Sequence, residues 1–356
     1  MKAKNVVQAA WGGGSSRTEY VLDLARNPDG SCLAASLSNF RVKAYKRDTL
    51  EIICELKGHS AAIRALSYAH HPHVMVSVSE DNTLRGWDCR AAEEAQFVTP
   101  LGGEGCSVVV GYEGHLCAAG VGDSVDFFDM RAGMKKLGRY EASHTDDVTS
   151  LNFHPIQVKH LVTGSEDGLM CVYDTGVTGN EEALVSIMNA ECPVRRMGFF
   201  GDNLEGVYCC SGVEGLSLWH LPSAQRLHDF GDVRRTGPVR ELDYLIGCQY
   251  LEGDGQLMLL AGSYTGDMHM IHVEPGNLSF VRSGRSGHND QIRCHDWLGT
   301  TSLVTGGEDG RLVAWSNERQ QEGMPAASLN VRIRAERHTA AKNRNRQQHS
   351  HKPYGR

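Results

Sequence analysis

The stretch Leu303-Val-Thr-Gly-Gly-Glu-Asp309-Gly-Arg-Leu-Val-Ala-Trp315-Ser316 reads as a short apolar strand, a tight turn and a second strand ending on an aromatic. Two other segments repeat it almost residue for residue: Met75-Val-Ser-Val-Ser-Glu-Asp81-Asn-Thr-Leu-Arg-Gly-Trp87-Asp88 and Leu161-Val-Thr-Gly-Ser-Glu-Asp167-Gly-Leu-Met-Cys-Val-Tyr173-Asp174. In each, a hydroxyl (Ser77, Thr163, Thr305) precedes an aspartate (Asp81, Asp167, Asp309) by four residues, and an aromatic (Trp87, Tyr173, Trp315) follows that aspartate by six. A histidine (His59, His144, His288) stands 22, 23 and 21 residues upstream of the aspartate.

Weaker copies extend the pattern outward, ending at Tyr45, Phe128, Trp219 and Ile271. The terminal apolar position therefore recurs at 45, 87, 128, 173, 219, 271 and 315, in steps of 42, 41, 45, 46, 52 and 44. Self-similarity at such a period is the mark of a repeat architecture, here of seven units with length differences absorbed in surface loops.

At 40% hydrophobic residues the 356-residue chain has enough apolar material for a sizeable core, which excludes a wholly disordered protein. No apolar run approaches the roughly 18 residues that cross a bilayer, and Lys2 to Trp11 is too short and polar for a secretion signal. An intracellular protein, cytoplasmic or nuclear and without a membrane partner, is expected. The 11 cysteines, odd in number and without a C-x-x-C pair, fit reduced thiols in apolar runs. The net charge of −7 is unevenly spread: residues 318–356 hold 9 Lys/Arg against 3 Asp/Glu, leaving 27 against 40 in the body, a net of −13.

Gly58-His59, Ser143-His144 and Gly287-His288 near the start of the strong units, with Trp87-Asp88 at the end of one, resemble the WD40 repeat over about residues 1–316. The order and spacing of the divergent units look most like the WD repeat-containing protein 89 family. The resemblance implies an all-β, seven-bladed propeller over residues 1–317, and the charge and composition of residues 318–356 predict a basic, largely disordered tail. It also implies that His59, Ser77, Asp81 and Trp87, with the sets His144, Thr163, Asp167, Tyr173 and His288, Thr305, Asp309, Trp315, form buried hydrogen-bond chains closed by the indole or phenol.

A histidine, an aspartate and a hydroxyl together also suggest a hydrolase triad. Catalysis needs one activated nucleophile, whereas this constellation occurs three times, and a satisfied polar network stabilises a β core without any chemistry. The elbow G-x-S-x-G, the phosphate loop and H-E-x-x-H are all missing. Neither an enzyme nor a cofactor is expected. His70-His71-Pro72-His73 falls in the turn between two strands, like Phe153-His154-Pro155, where adjacent imidazoles rarely converge on a metal.

Closing the ring requires a strand for its last blade. The partly apolar Asn5 to Ala10 is the favoured donor. A second alternating stretch, Ser328 to Arg334, presents Leu329, Val331 and Ile333 on one face and is expected to dock on the rim. Lys342, Arg344 and Arg346 offer the only expected contact with nucleic acid.

Two candidate partner sites follow. Aligning the first strands on their apolar start gives Ile63-Arg64, Val148-Thr149, Val194-Arg195, Val239-Arg240 and Ile292-Arg293. In WD40 proteins the second of these positions faces the narrow channel mouth, so Arg64, Arg195, Arg240 and Arg293 are expected to form a ring for an acidic or phosphorylated peptide, or to pair with carboxylates of the next blade. On the opposite side, Trp87-Asp88-Cys89-Arg90 and Phe128-Asp129-Met130-Arg131 resemble the boxes by which substrate receptors of cullin-4 ubiquitin ligases contact the DDB1 adaptor, with Arg90 and Arg131 as the contacts. An Asp-x-Arg pair also closes on itself at strand ends. The expected function is a non-catalytic scaffold for protein partners, with a ligase receptor as the alternative.

Overall fold

Each repeat becomes a four-stranded antiparallel sheet, because alternating Val, Leu, Ile and aromatic residues bury both faces while Gly, Asn and Asp make the turns. The described residues of the computed structural model run from 1 to 316, apart from 10–18, 92, 112, 142, 178 and 299–301. Blade one holds Val21–Arg26, Cys32–Leu37, Val42–Lys46 and Ile52–Leu56; blade two holds Ile63–Tyr68, Val74–Ser79, Thr83–Asp88 and Phe97–Pro100. Blades three to six have first strands Gly105–Val110, Val148–Phe153, Val194–Phe200 and Tyr244–Leu251, and fourth strands Lys135–Tyr140, Leu184–Asn189, Gln225–Asp232 and Asn277–Gly284. Blade seven is Ile292–Leu298, Ser302–Gly307 and Arg311–Ser316, completed by Lys2–Gln8 from the other end of the chain. This is the expected seven-bladed propeller.

Lys2–Gln8 runs antiparallel to Arg311–Ser316, with Val7 opposite Leu312 and Gln8 opposite Arg311. Beyond it, the Ala9 amide donates to the Gly310 carbonyl and Lys43 of blade one donates to the Ala9 carbonyl, both at 2.8 Å. The donor strand begins at Lys2, three residues before the expected start at Asn5. The segment 328–334 lies outside the described residues.

The apolar core is divided into seven clusters, each shared by two neighbouring blades. One of them joins Val304 and Leu312 of blade seven to Val21 and Leu33 of blade one, so the seam is packed like every other joint. Blades are thereby nearest-neighbour units whose apolar faces are covered only by stacking. The repeat's terminal residues Tyr45, Trp87, Phe128, Tyr173, Trp219, Ile271 and Trp315 are all buried within these clusters.

Side chains of the first and second strands stitch each joint to the backbone of the next blade. Asp23 accepts from the Leu66 amide, Ser67 from the Val110 amide, and Ser107 donates to the Val148 carbonyl. Thr149 donates to Val194, Tyr208 to the Cys248 carbonyl, and the Tyr244 hydroxyl accepts from the Ile292 amide. Arg26 and Arg47 of blade one complete the circuit, donating to the Trp297 and Asp296 carbonyls of blade seven and forming ion pairs with Asp296.

Candidate functional site

Every first strand carries a β-bulge near its start, skipping Leu22, Arg64, Cys106, Thr149, Arg195, Ile246 and Arg293 in turn. A bulge leaves the extra residue unpaired and re-aims its side chain, which gives each blade one free position at the same end of its inner strand. Three of the seven are arginines. Each meets a glutamate from the second turn of its own blade: Arg64 to Glu80 at 2.6 Å, Arg293 to Glu308 at 2.5 Å and Arg195 to Glu214 at 4.0 Å. The arginine side chains remain about half exposed. The pairing is therefore within a blade and not across to the next, because the bulge residue lies beside its own turn.

Arg240 does not join them. The first strand of blade six begins at Tyr244, and Ile246 occupies the bulge position. The long 52-residue step contains a short helix, Val233–Thr236, and a connection in which Val239 packs on the cluster of Phe230, Val233 and Leu242. Val239 is thus an apolar cap under a loop, and Arg240 stands exposed before the strand.

One residue past each bulge lies Asp23, Ala65, Ser107, Ser150, Arg196, Gly247 and Cys294. This layer is small except at Asp23 and Arg196. From blade five, Arg196 passes Gly247, where a Cβ would come within 3.2 Å of its Cδ and 2.8 Å of His295 Cε1, and donates to the Arg293 carbonyl of blade seven at 3.1 Å. Burial raises the Asp23 pKa, and the Arg196 charge acts against that rise. His295, with Nδ1 buried and without a partner, is pushed down to about 3 by burial with Arg196 adding to the effect, so its imidazole stays neutral. The arginine doublet Arg195-Arg196 was the available signal: a large charged residue where the other blades hold small ones.

The three repeated constellations assemble as hydrogen-bond chains. In blade two His59 Nδ1 lies 2.8 Å from Asp81 and Nε2 lies 2.7 Å from Ser77 Oγ, while the Trp87 indole donates to that same oxygen at 2.8 Å. Blade seven repeats this with His288, Asp309, Thr305 and Trp315 at 3.0, 2.7 and 2.8 Å. Since an ionised carboxylate only accepts, the Nδ1–H donates to it and Nε2 accepts from the hydroxyl. Burial opposes ionisation of Asp81, but the Thr83 hydroxyl, the Ser60 amide and His59 hold its pKa at about 2. Asn82, Gly168 and Gly310, directly after each aspartate, sit at φ of 60°, 84° and 69°, the left-handed turn that Asn and Gly adopt most easily.

Blade four differs at its last member. His144 meets Asp167 at 3.1 Å and Thr163 at 2.7 Å, and the Thr163 oxygen also lies 3.4 Å from the Cys171 carbonyl oxygen. Tyr173 stacks on Tyr140 at 5.0 Å and interacts with Ser143. A phenol carries its hydroxyl at the tip of the ring, beyond Thr163, where an indole carries its N–H at the side.

On the other rim, Arg90 Nε and Nη2 grip the Asp88 carboxylate at 3.0 and 2.7 Å, and Arg131 grips Asp129 at 3.1 and 3.2 Å. The same clasp forms between Arg234 and Asp232 at the start of the short helix, at 2.8 and 2.9 Å. Arg90 holds the Asp88 pKa down at about 2. The histidine turn of blade two forms no metal cluster among the described residues; His71 and His73 lie 5.7 Å apart, and His154 is a buried turn anchor bonded to the Leu204 carbonyl. Among the described residues, no helix is long and apolar enough to cross a membrane.

Comparison with known proteins accords with this geometry. The model for the WD domain, G-beta repeat, matches residues 50–88, 135–174 and 279–316, which end on the three strong repeats. The WD repeat-containing protein 89 homolog of Dictyostelium discoideum is 33% identical over 305 residues, 84% of this chain and 83% of that protein. The WD repeat-containing protein GTS1 of Arabidopsis thaliana is 28% identical over 374 residues, 99% of this chain and 92% of that one. A seven-bladed ring closed by its N-terminal strand, with repeated His–Asp–hydroxyl chains and such a relative along most of its length, makes this chain a WD40-repeat protein of the WD repeat-containing protein 89 family.

Proposed function

We propose that the protein is a non-catalytic scaffold that receives protein partners at the channel mouth. WD40 propellers generally serve as platforms for protein partners. The observation that carries the reading is the state of Ser77 and Thr305. Both are fully buried, and each hydroxyl is bonded to a histidine on one side and to an indole on the other. A nucleophile must reach a substrate carbonyl; these have no open side, so the chains serve to fix the blades.

What the ring offers outward is charge of both signs on a rigid circle: Arg64, Arg195 and Arg293 with Glu80, Glu214 and Glu308. A purely acidic or phosphorylated peptide would have to displace three glutamates, so the pairs fit better a partner loop carrying both carboxylates and cations, which exchanges with them. Nothing specific favours the DDB1 reading, since Asp232–Arg234 shows the same clasp away from the paired boxes. Affinity purification with the Arg64→Glu and Arg293→Glu double variant tests the mouth: loss of the principal partner supports it, and undiminished recovery with an intact fold rejects it.

A further inference from the structure

The outer strand of each blade ends the ladder of its sheet, and a charged side chain or a proline in such a strand discourages another chain from pairing with it. Six of the seven outer strands are protected in this way: blade one by Glu55, blade two by Pro100, blade three by Lys135, blade five by Arg226, blade six by Arg282 and blade seven by Lys2. Leu184–Asn189 of blade four reads Leu-Val-Ser-Ile-Met-Asn and holds neither a charge nor a proline. It is the last strand of its sheet, outside Leu169–Asp174. Met188 is buried in the cluster of Val194 and Trp219, which fixes the strand against blade five. The alternate positions are open to solvent, with Val185 55% and Ile187 47% exposed. A bulge skips Val185, while residues 186–189 stay in regular register with Val172, Cys171, Met170 and Leu169. Directly before the strand, Glu181 and Glu182 are exposed.

We infer that Leu184–Asn189 receives an extended segment of a protein partner as a fifth strand of blade four, a segment of alternating β-branched residues with a lysine or arginine beside Glu181 and Glu182. In strand addition the main chain supplies the affinity, and the side chains of alternate residues, here those meeting Val185 and Ile187, supply the selectivity. Charge sets the kind of partner. Two exposed carboxylates next to an uncharged strand, on a body that carries −13, favour a segment with cations. The same charge disfavours a nucleic acid, and it disfavours a second copy of this chain, which would bring an equally negative body against the edge. The strand lies on the outer circumference, away from the channel mouth, so this inference does not depend on the mouth reading.

The test is fluorescence anisotropy of the full chain with a labelled peptide Lys-Val-Thr-Val-Thr-Val-Lys, its analogue with Glu at both ends, and a copy N-methylated at its three central residues, which cannot donate from either edge. The unmodified lysine peptide is expected to bind at least about tenfold tighter than the other two. Val185→Lys with Ile187→Lys should lower that affinity by about tenfold or more. The milder Ile187→Thr, checked by thermal melting, should lower it several-fold and covers the case in which the double variant misfolds. Glu181→Gln with Glu182→Gln should also lower it several-fold. Ile53→Lys with Leu227→Lys, on the outer strands of blades one and five, and Arg64→Glu with Arg293→Glu at the mouth should leave it unchanged. Equal binding of the Glu-ended or the methylated peptide, indifference to the folded Val185 and Ile187 variants, or loss in either control variant would each overturn the assignment. So would light scattering that finds a dimer in the wild type and a monomer in Val185→Lys with Ile187→Lys, which would give the edge to a second copy.

Discussion

Arg196 Nη2 donates to the carbonyl oxygen of Arg293 at 3.1 Å, joining residues 97 positions apart and carrying a side chain of blade five past blade six to blade seven. A guanidinium whose field also reaches Asp23 of blade one braces the inner wall from three sides. Removing it strands the Asp23 carboxylate in a protein-lined site. Arg196→Met is therefore expected to lower stability by about 1–3 kcal/mol at neutral pH, with the channel's access to water keeping the loss below that of a dry buried pair. The loss should shrink near pH 4, because burial already raises the Asp23 pKa and a protonated carboxyl needs no counter-charge. Urea denaturation at pH 4 and pH 7.5 measures both.

Acid should weaken the ring in two stages. Burial lowers the pKa of His59 and His144, so their folded forms resist protonation. Stability from these groups is complete above the ordinary histidine range and declines as pH falls below about 6.5. Asp81, held at about 2, adds a second decline as pH falls from about 4 toward that value. Circular dichroism melts across pH 2–8 are expected to show a plateau above pH 7 and these two descents.

The seam is the most vulnerable joint, because blade seven obtains its fourth strand from residues that are distant in sequence. Val7 packs against the cluster shared by blades seven and one. Val7→Asp should cost about 1–3 kcal/mol through an unpaired charge at a half-buried position and lost apolar packing. Hydrogen exchange should then accelerate first at Arg311–Ser316, the strand that pairs with Lys2–Gln8. Uniform loss of protection over all blades would point instead to global unfolding.

The Asp88–Arg90 and Asp129–Arg131 clasps are self-contained and lie on the surface. Arg90→Ala with Arg131→Ala should leave the melting temperature unchanged within error. If the clasps serve only their own strand ends, recovery of DDB1 or any other partner of that rim should be equally unaffected; selective loss of DDB1 would establish the receptor reading.

Much of this molecule was legible because its repeats restate one local solution. The hydroxyl, aspartate and aromatic spacing located second and third strands in three blades, and the weaker endings at Tyr45, Phe128, Trp219 and Ile271 fell on buried third-strand positions in the other four. The favoured closure by the N-terminal segment is likewise the one observed. Misreadings arose where a repeat departs from the common length or chemistry. Val239-Arg240 mimics a strand start, but the inserted helix and apolar cap move that strand to Tyr244. Tyr173 takes the aromatic position without an N–H directed at Thr163. The Arg196 brace and the Arg26, Arg47 and Asp296 seam depend on which residues meet across the ring, and strand periodicity carries no information about that.

The scaffold reading is tested most directly by quantitative affinity purification with wild type and the Arg64→Glu, Arg293→Glu variant, matched for melting temperature. Partner exchange at the Arg–Glu pairs predicts that the principal co-purifying protein falls by about tenfold or more in the variant. Equal recovery from two equally folded proteins would contradict it and place recognition elsewhere on the propeller.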